Sequence, residues 1–527
     1  MVSGRKHILY YVFTLLSFMA LTCCGGGGAT SLEGSAAIDR PGVLCDTTCT
    51  MGEPINLGNG VWRAQNASCG CVNAALQKAS SGQTILVPAG NYDWADNYIS
   101  ISKEVKLIGA GSSNTIITGS NTTYGFFRVS TGNSGTFAFR LSGFKFITTA
   151  NIMGVIEGAG SGWQIDNNVF EKNDASAMLL VSAVNGGGKW SLFGVIHNNI
   201  FTHTKIDAIG ESMTSAEDSW VSPAQWGTSN ALFIENNIFS MMNGCSNTMN
   251  SIDSNGGARM VIRYNTFNDA RIEAHSAAGL KVRGTRSYEI YNNAFNRTCN
   301  AWAPPLRLRG GSHIIVNNVV SGPWLPSSVT LDNRRSSFDP YVTKNSQCTG
   351  AGNPSACCTG PGTGTCLSAQ DGFGDCNGTS SYDTNIANSA HGGMIDGYRC
   401  LDQPGAGTGA IGAQSLDPVY AWNNVSGRSC VGGVNRFNAC TSDSDCPSST
   451  CSTQTNTPNR VYLHNNVNNQ PYHIKAGRDY FDDTVFGYPN VKQVNGADWK
   501  PYTCPHPWTG LSGNCNPGIA GNGGYNQ

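Results

Sequence analysis

Charge is the scarcest feature of this chain. Only 13% of its 527 residues are Asp, Glu, Lys or Arg, about half the usual share, and the formal net charge is −1. No basic run or stripe is present, which argues against nucleic acid as a partner. Beyond the N-terminal segment, no apolar run approaches ~18 residues, so no membrane-spanning helix is expected. Helical periodicity is nearly absent too. One short stretch, Val72 to Ala79, places Val72, Ala75, Leu76 and Ala79 on a single helical face. Catalytic signatures are equally sparse. No G-x-S-x-G elbow lies near His203 or His275. The one pair of consecutive carboxylates singled out, Asp482-Asp483, sits in a stretch that reads as a turn or cap.

What the chain does have is repetition. Ile165-Asp-Asn-Asn-Val-Phe returns as Ile196-His-Asn-Asn-Ile-Phe, Ile234-Glu-Asn-Asn-Ile-Phe, Ile262-Arg-Tyr-Asn-Thr-Phe, Ile290-Tyr-Asn-Asn-Ala-Phe and Ile315-Val-Asn-Asn-Val-Val. The second Asn falls at 168, 199, 237, 265, 293 and 318. A period of this size means one supersecondary unit stacked many times. The units are rich in β-branched residues, Gly and Asn, so the expected architecture is an all-β, parallel β-helix with Ile, Val and Phe pointing inward. An amide has two donors and a two-lone-pair acceptor, so identical Asn side chains in successive coils can bond to one another. The Asn pairs therefore read as a structural ladder. The helix at Val72 to Ala79 would cap the open N-terminal end.

The N-terminus reads as an export signal. Arg5, Lys6 and His7 precede an apolar segment from Ile8 to Leu21. Ala20-Leu-Thr-Cys23 resembles a bacterial lipoprotein box, followed by a Gly25 to Gly28 tether, which would make Cys23 a lipidation site and place the protein at the cell surface or outer membrane, or else secreted. Of 20 Cys, 18 lie beyond the processing site, an even number that in an exported chain points first to disulfides. Zinc is the alternative where Cys357-Cys358 and Cys446…Cys451 have loosely ligand-like spacing. The expected organisation is an export segment at 1–23, a linker at 24–60 and the solenoid at 61–345. A Cys-rich insertion at 346–380 follows, then more solenoid at 381–428, a second insertion at 429–458, last coils and cap at 459–500, and a tail at 501–527. The chain is expected to act as a monomer.

After the capping helix come Ile85-Leu-Val-Pro-Ala-Gly-Asn-Tyr92, Val105-Lys-Leu-Ile-Gly-Ala-Gly111 and Thr115-Ile-Ile-Thr-Gly119. This succession resembles the opening coils of the pectate-lyase-like superfamily of right-handed parallel β-helices. The resemblance covers roughly residues 70 to 325 and resumes at Val419 to Asn424 and Val461 to Asn466. It implies the fold and leaves activity open, because that superfamily holds lyases, hydrolases, esterases and adhesins.

Chemistry is sought where outward residues of neighbouring coils stack. With the Asn pair as a ruler, His203, Lys205 and Asp207 share an outer face with Asp269, Arg271, Glu273 and His275, and Met241, Asn243 and Cys245 take the same offsets between them. Before the turn, Asp253, Lys281 and Arg307 form one column and Asn255, Arg283 and Arg309 the next. Like charges about 4.8 Å apart repel unless an anion sits among them. The row is either a solvated ion-pair ladder or a site for a uronic-acid polymer.

Eliminative cleavage of such a polymer needs its carboxylate neutralised, a base for the adjacent C–H, and a proton for the leaving oxygen. Within the superfamily the motif is similar to that of chondroitinase B and alginate lyases. That resemblance implies Lys281 as base and Arg309 or Arg307 as the assisting cation. Arg283 and His275 are further catalytic candidates. His203, Lys205, Asp207 and Arg271 would bind substrate, while Glu273 and Asp253 would hold Ca2+. His275 stands where the pattern has a second carboxylate, and Gly310 where it has His. Two alternatives remain open: a glycoside hydrolase of the same fold, and a non-catalytic glycan-binding protein or adhesin using Trp190, Trp220, Trp226, Trp302 and Trp324.

Overall fold

A computed structural model describes residues 42–130, 139–157, 160–172, 176–182, 192–210, 217–241, 249–276, 283–298, 303–324, 327–332, 402–410, 414–430, 440, 442–446, 449–453, 457–464, 474–485, 493–494 and 497–510. The export segment, Lys281, Cys245, Cys299, Trp190, Trp302, the cluster from Cys348 to Cys376 and the end of the tail lie outside the described residues. No described helix is long and apolar enough to cross a membrane.

The described chain winds into a parallel β-helix built from three long sheets. In one representative coil, Arg259–Arg263 belongs to the first sheet, Thr266–Asn268 to the second and Ala270–Ala274 to the third, before Ser287–Tyr291 re-enters the first. Each strand pairs in parallel with its counterparts one coil before and after. The corner between the first and second sheets is a single residue in the left-handed region. Asn167, Asn198, Asn236, Asn292, Asn317 and Asn423 all have φ between 53° and 57°, and Tyr264 has 58°. Asn tolerates this conformation because its short polar side chain bonds locally, which is why the phrase carries two Asn residues.

The second Asn forms the ladder. Asn237 Oδ1 accepts from the backbone N–H of Asn199 at 2.9 Å and from its Nδ2 at 3.1 Å. Its own Nδ2 donates to Ile196 O, Glu235 O and Asn265 Oδ1 at 2.9–3.1 Å. The same pattern runs through Asn168, Asn199, Asn265, Asn293, Asn318 and Asn424. It ends on Asn459, reached 35 residues after Asn424. The coil resumes at Val461 as expected, but in a third-sheet strand, Thr457–His464, so that Asn459 takes the ladder place, and Asn465 and Asn466 lie outside the described residues.

Beside the ladder, Phe146, Phe170, Phe201, Phe239, Phe267 and Phe295 stack along the axis with centroids 4.7–5.7 Å apart. The two columns are complementary. One satisfies turn backbone that would otherwise be buried unpaired, and the other fills the core next to it.

The N-terminal end is covered as expected by α1, Cys69–Lys78. Lys103 Nζ donates to the carbonyls of Leu76, Gln77 and Ala79, satisfying the exposed C-terminal end of the helix. Disulfides Cys45–Cys69 and Cys49–Cys71 tie it to the preceding segment. Val43–Leu44 pairs with Asn97 and Tyr98, so residues 43–58, expected within a linker, are part of the body. The zinc alternative at Cys446 and Cys451 gives way to disulfides: Cys440 bridges Cys451, and Cys446 is disulfide-bonded as well.

From Leu232–Glu235 to Ser312–Val316 the first sheet is buried on both sides. Its outward column Asp166, His197, Glu235, Arg263, Tyr291, Val316 and Trp422 lies beneath residues 499–509, part of the expected tail. Arg263 donates to Tyr502 O at 2.8 Å and Thr503 O at 3.0 Å, and the His506 ring lies 4.4 Å from that of Phe233. Burial pushes three imidazoles down: His197 to about 4, His506 and His313 to about 3. Burial pushes Glu289 up to about 7, although Gly227 N–H and the Trp499 indole donate to it.

Two predictions follow from these contacts. Asn237→Ala removes five ladder hydrogen bonds and leaves the buried Asn199 N–H without its acceptor, at roughly 1–3 kcal/mol for each buried group left unpaired where no water enters. A loss of at least ~3 kcal/mol in urea unfolding is expected, with parallel-sheet circular dichroism retained in the folded fraction. In the second, the unfolded chain takes up protons on three histidines below pH 6.5 that the folded chain refuses until about 4 or 3. Stability is therefore full above 6.5 and falls as pH drops toward 4; Glu289 and Glu235 oppose this but are outweighed. The urea midpoint should decline between pH 7 and pH 4.5, and His197→Gln should flatten that slope.

Candidate functional site

With the first sheet covered, and the second carrying mainly short polar and β-branched side chains outward beside the Lys145–Glu171 pair, a cluster of partly exposed charged residues lies on the third. Six successive strands contribute: Thr204–Ile209, Met249–Asn255, Ala270–Ala274, Leu306–Leu308, Ser327–Asp332 and Thr457–His464. Asp207 pairs in register with Asp253, Ile252 with Ile272, Glu273 with Arg307, Arg307 with Thr330, and Thr330 with Tyr462. Two residues farther along, His275 N–H donates to Ser254 O and Arg309 N–H to Ala274 O, which stacks Asn255, His275 and Arg309.

The two rows expected from the sequence are thus a single face. The ruler based on the Asn pair fails where a connection lengthens. After Ile238–Ser240 the chain makes an excursion before the strand bearing Asp253, and after Ala294–Asn296 another before the strand bearing Arg307. Cys245, which that ruler puts between Asp207 and Glu273, lies outside the described residues, and Asp253 takes that place. Met241 does sit between His203 and Asp269, as the ruler has it.

Glu273 is the centre of the cluster. Its side chain is 2% exposed and receives Arg309 Nη2 at 2.5 Å, Arg271 Nη2 at 2.9 Å and Arg307 Nη1 at 3.7 Å. Burial works to raise its carboxyl, yet Arg309, Arg271, His275 and Arg307 together hold it well below the usual carboxylate range. Arg271 is held below its ordinary value by burial and, against the pull of Glu273, by Arg307 and Arg309. Arg307 Nη2 also meets Asp332 Oδ2 at 2.6 Å, and His464 Nδ1 lies 3.2 Å from Asp332 Oδ1. His275 Nδ1 sits 2.5 Å from Asp253 Oδ1. Lys205 Nζ pairs with Asp207 at 3.2 Å.

These pairs are layered. The carboxylates of Asp253, Glu273 and Asp332 are 0–3% exposed, whereas Arg271, Arg307, Arg309, His275 and His464 are 10–32% exposed. The acids form a floor and the bases face outward from it. Guanidiniums fixed in this way present N–H donors in the fork geometry that matches a carboxylate.

Other expected residues fall elsewhere. Arg283 does not stack with Arg309. It lies in the turn back into the first sheet, 1% exposed, with both Nε and Nη2 on Asp402 at 2.7–3.0 Å and its guanidinium 4.9 Å from the Trp220 ring centroid. His203 is a buried corner residue at φ 49°, its Nδ1 2.7 Å from Lys172 O. Asp269 accepts from Thr298 at the equivalent corner. Trp220 and Trp324 are buried anchors whose indoles donate to Gly284 O and Phe295 O, and Trp226 packs at the edge of the cluster over the first sheet. Asp482 accepts from Val461 N and Thr484 N, in keeping with a turn. Sequence reading missed Asp332 and His464, because the chain between them runs through more than a hundred residues without periodicity. It also missed the Asp207–Asp253 adjacency.

Calcium does not suit the residues assigned to it. Ca2+ takes about six to eight oxygen ligands. Glu273 is surrounded by three guanidiniums, while Asp253 receives His275, Ser254 N and Asn250 Nδ2. Gly310 cannot carry the His of the family pattern either: a Cβ there would meet Asp402 O at 2.6 Å and His275 O at 3.0 Å.

Fold and face together define a parallel β-helix protein with a basic row on one sheet. No protein-family model matches the chain, and no curated protein matches it. Among solved structures it is similar to a PL6 family polysaccharide lyase from Pseudopedobacter saltans, at 18% identity and a TM-score of 0.32, over 52% of this chain and 66% of that one. It is similar also to an alginate lyase from Paenibacillus sp., at 15% identity and a TM-score of 0.24, over 50% of this chain and 98% of that one.

Removing the central acid tests the layering. Glu273→Gln leaves three adjacent guanidiniums without their shared counter-charge, and a buried pair broken from one side costs ~3–5 kcal/mol. The melting temperature should fall accordingly, and added sulfate should restore more of it in the variant than in the wild type.

Proposed function

We propose that this protein is an exported enzyme that binds an acidic polysaccharide along its third sheet and cleaves it by β-elimination. The observation that carries this reading is the layering of the site, with buried acids beneath Arg271, Arg307 and Arg309. Such a face offers repeated carboxylate-binding forks at coil spacing, suited to a polymer with regularly placed anions. Arg307 and Arg309 would neutralise the uronate carboxylate, which acidifies the adjacent C–H. Lys205, with Asp207, would contact sugars farther along the row. Disulfides in the body support an oxidising compartment and hence export. Surface anchoring through Cys23 belongs to the same proposal.

A glycoside hydrolase is the second reading. Asp207 and Asp253 occupy partnered positions on neighbouring strands, as a pair of acid and base carboxylates requires. Product chemistry separates the two. Purified protein incubated with alginate, pectin, chondroitin and neutral glucans should release unsaturated uronate ends, read by ultraviolet absorbance, from acidic polymers only. New reducing ends without that absorbance would favour the hydrolase. Binding without either product would leave an adhesin. Arg309→Ala should weaken retention on an acidic-polysaccharide gel and flatten its salt dependence.

A further inference from the structure

We infer that His275, oriented by Asp253, is the proton-transferring residue of this site, and that arginines rather than a divalent cation neutralise the substrate carboxylate. The inference rests on the lyase reading above and deepens it.

The geometry comes from three successive coils. Asp253 on the first is 2% exposed, and its Oδ1 lies 2.5 Å from His275 Nδ1 on the second. Asn250 Nδ2 and the backbone N–H of Ser254 hold the same carboxylate from the other sides. An imidazole whose Nδ1–H is given to a buried carboxylate keeps its Nε2 as the acceptor, with ring orientation and tautomer both fixed. His275 is 24% exposed, and Nε2 is the ring nitrogen that does not meet Asp253. Arg309 stacks directly on His275 in the third coil, and Glu273 ties it to Arg271. A carboxylate on the Arg307–Arg309 fork would thus bring its neighbouring C–H to the imidazole. Among the described residues, the charged groups around His275 are Asp253 before it, Glu273 on its own strand and Arg309 after it.

The step balances with these residues alone. Nε2 takes the C5 proton, and the C5–H electron pair becomes the C4=C5 double bond as the C4–O4 bond breaks. The new imidazolium then returns that proton to the departing O4. One imidazole serves both transfers only if H5 and O4 lie on the same face of the sugar ring. Uronates of the D-manno and D-gluco configuration meet this condition; guluronate, galacturonate and iduronate do not. Asp253 is then a positioning residue, which also removes it from the acid–base pair a hydrolase would need.

The test uses the full exported protein with polymannuronate, a glucuronate-containing glycan, polyguluronate and polygalacturonate, each with and without EDTA. Expected is unsaturated product from the first two, unchanged by EDTA. His275→Ala should lower kcat ~10²–10⁴-fold with KM little changed, and added imidazole should restore part of the loss. Asp253→Asn should lower kcat while leaving polymer binding intact. His275→Gln, matched to wild type in melting temperature, guards against misfolding. Full activity in either His275 variant, loss of activity in EDTA, or cleavage confined to polyguluronate or polygalacturonate would overturn the assignment while leaving the lyase reading standing. Polymer binding without product from any substrate would overturn both.

Discussion

Parallel pairing between one coil and the next is the constraint on which the rest of this structure depends. Most strands of the body take their backbone partners from segments about a turn away in sequence, and others pair across long insertions, as Ser327–Asp332 does with Thr457–His464. Among the described strands of the three long sheets, the direction reverses only at the N-terminal hairpin. Such pairing fixes register strongly where one face is buried, because a slip of one residue would turn the core outward. The Asn column strengthens this. Each amide binds the coil on either side and the carbonyls within the turn, so the corner is held by the element that also sets the spacing. The phenylalanine column beside it supplies apolar burial at the same repeat.

A stack of this kind has a useful consequence for a protein with little charge. Side chains on one outward column sit about 4.8 Å apart whatever the length of chain between them. Arg271, Arg307 and Arg309 lie in adjoining columns of two neighbouring strands, so their repulsion has to be compensated locally, and Glu273 does so from beneath. Compensation from below differs from an ordinary surface ion-pair ladder, in which acids and bases alternate in solvent and contribute little. Here burial of the acids fixes the bases and leaves donors as the outward atoms. The same low-dielectric floor that makes the cluster costly to break makes it selective for anions.

The three sheets divide their duties by what covers them. The first buries a mixed polar and aromatic column under residues 499–509, and its neutral histidines tie stability to pH. The second is short-stranded and carries the phenylalanine stack inward. The third carries the charged cluster, and the connections on either side of it vary most in length, which is where function is usually placed on a rigid scaffold.

The sequence by itself determined the coil. The Ile-x-Asn-Asn-x-Phe phrase specifies corner, ladder and core together: its first Asn, replaced by Tyr264 in one coil, takes the left-handed corner, and its second makes the axial hydrogen bonds. The α1 cap was legible from its own helical periodicity, and Glu273 and His275 from their short offset after that phrase, whereas Arg307 and Arg309 were legible only in a separate row, joined to Glu273 and His275 by the resemblance. What only the tertiary structure decided was which offsets survive the excursions between coils. Those loops carry no period, so no ruler reads across them. Asp253 moved into the same column as Glu273, Arg283 turned inward onto Asp402, and Asp332 and His464 came from far apart to join Arg307. Backbone pairing chose these neighbours, and pairing is a property of the wound chain rather than of any segment in it.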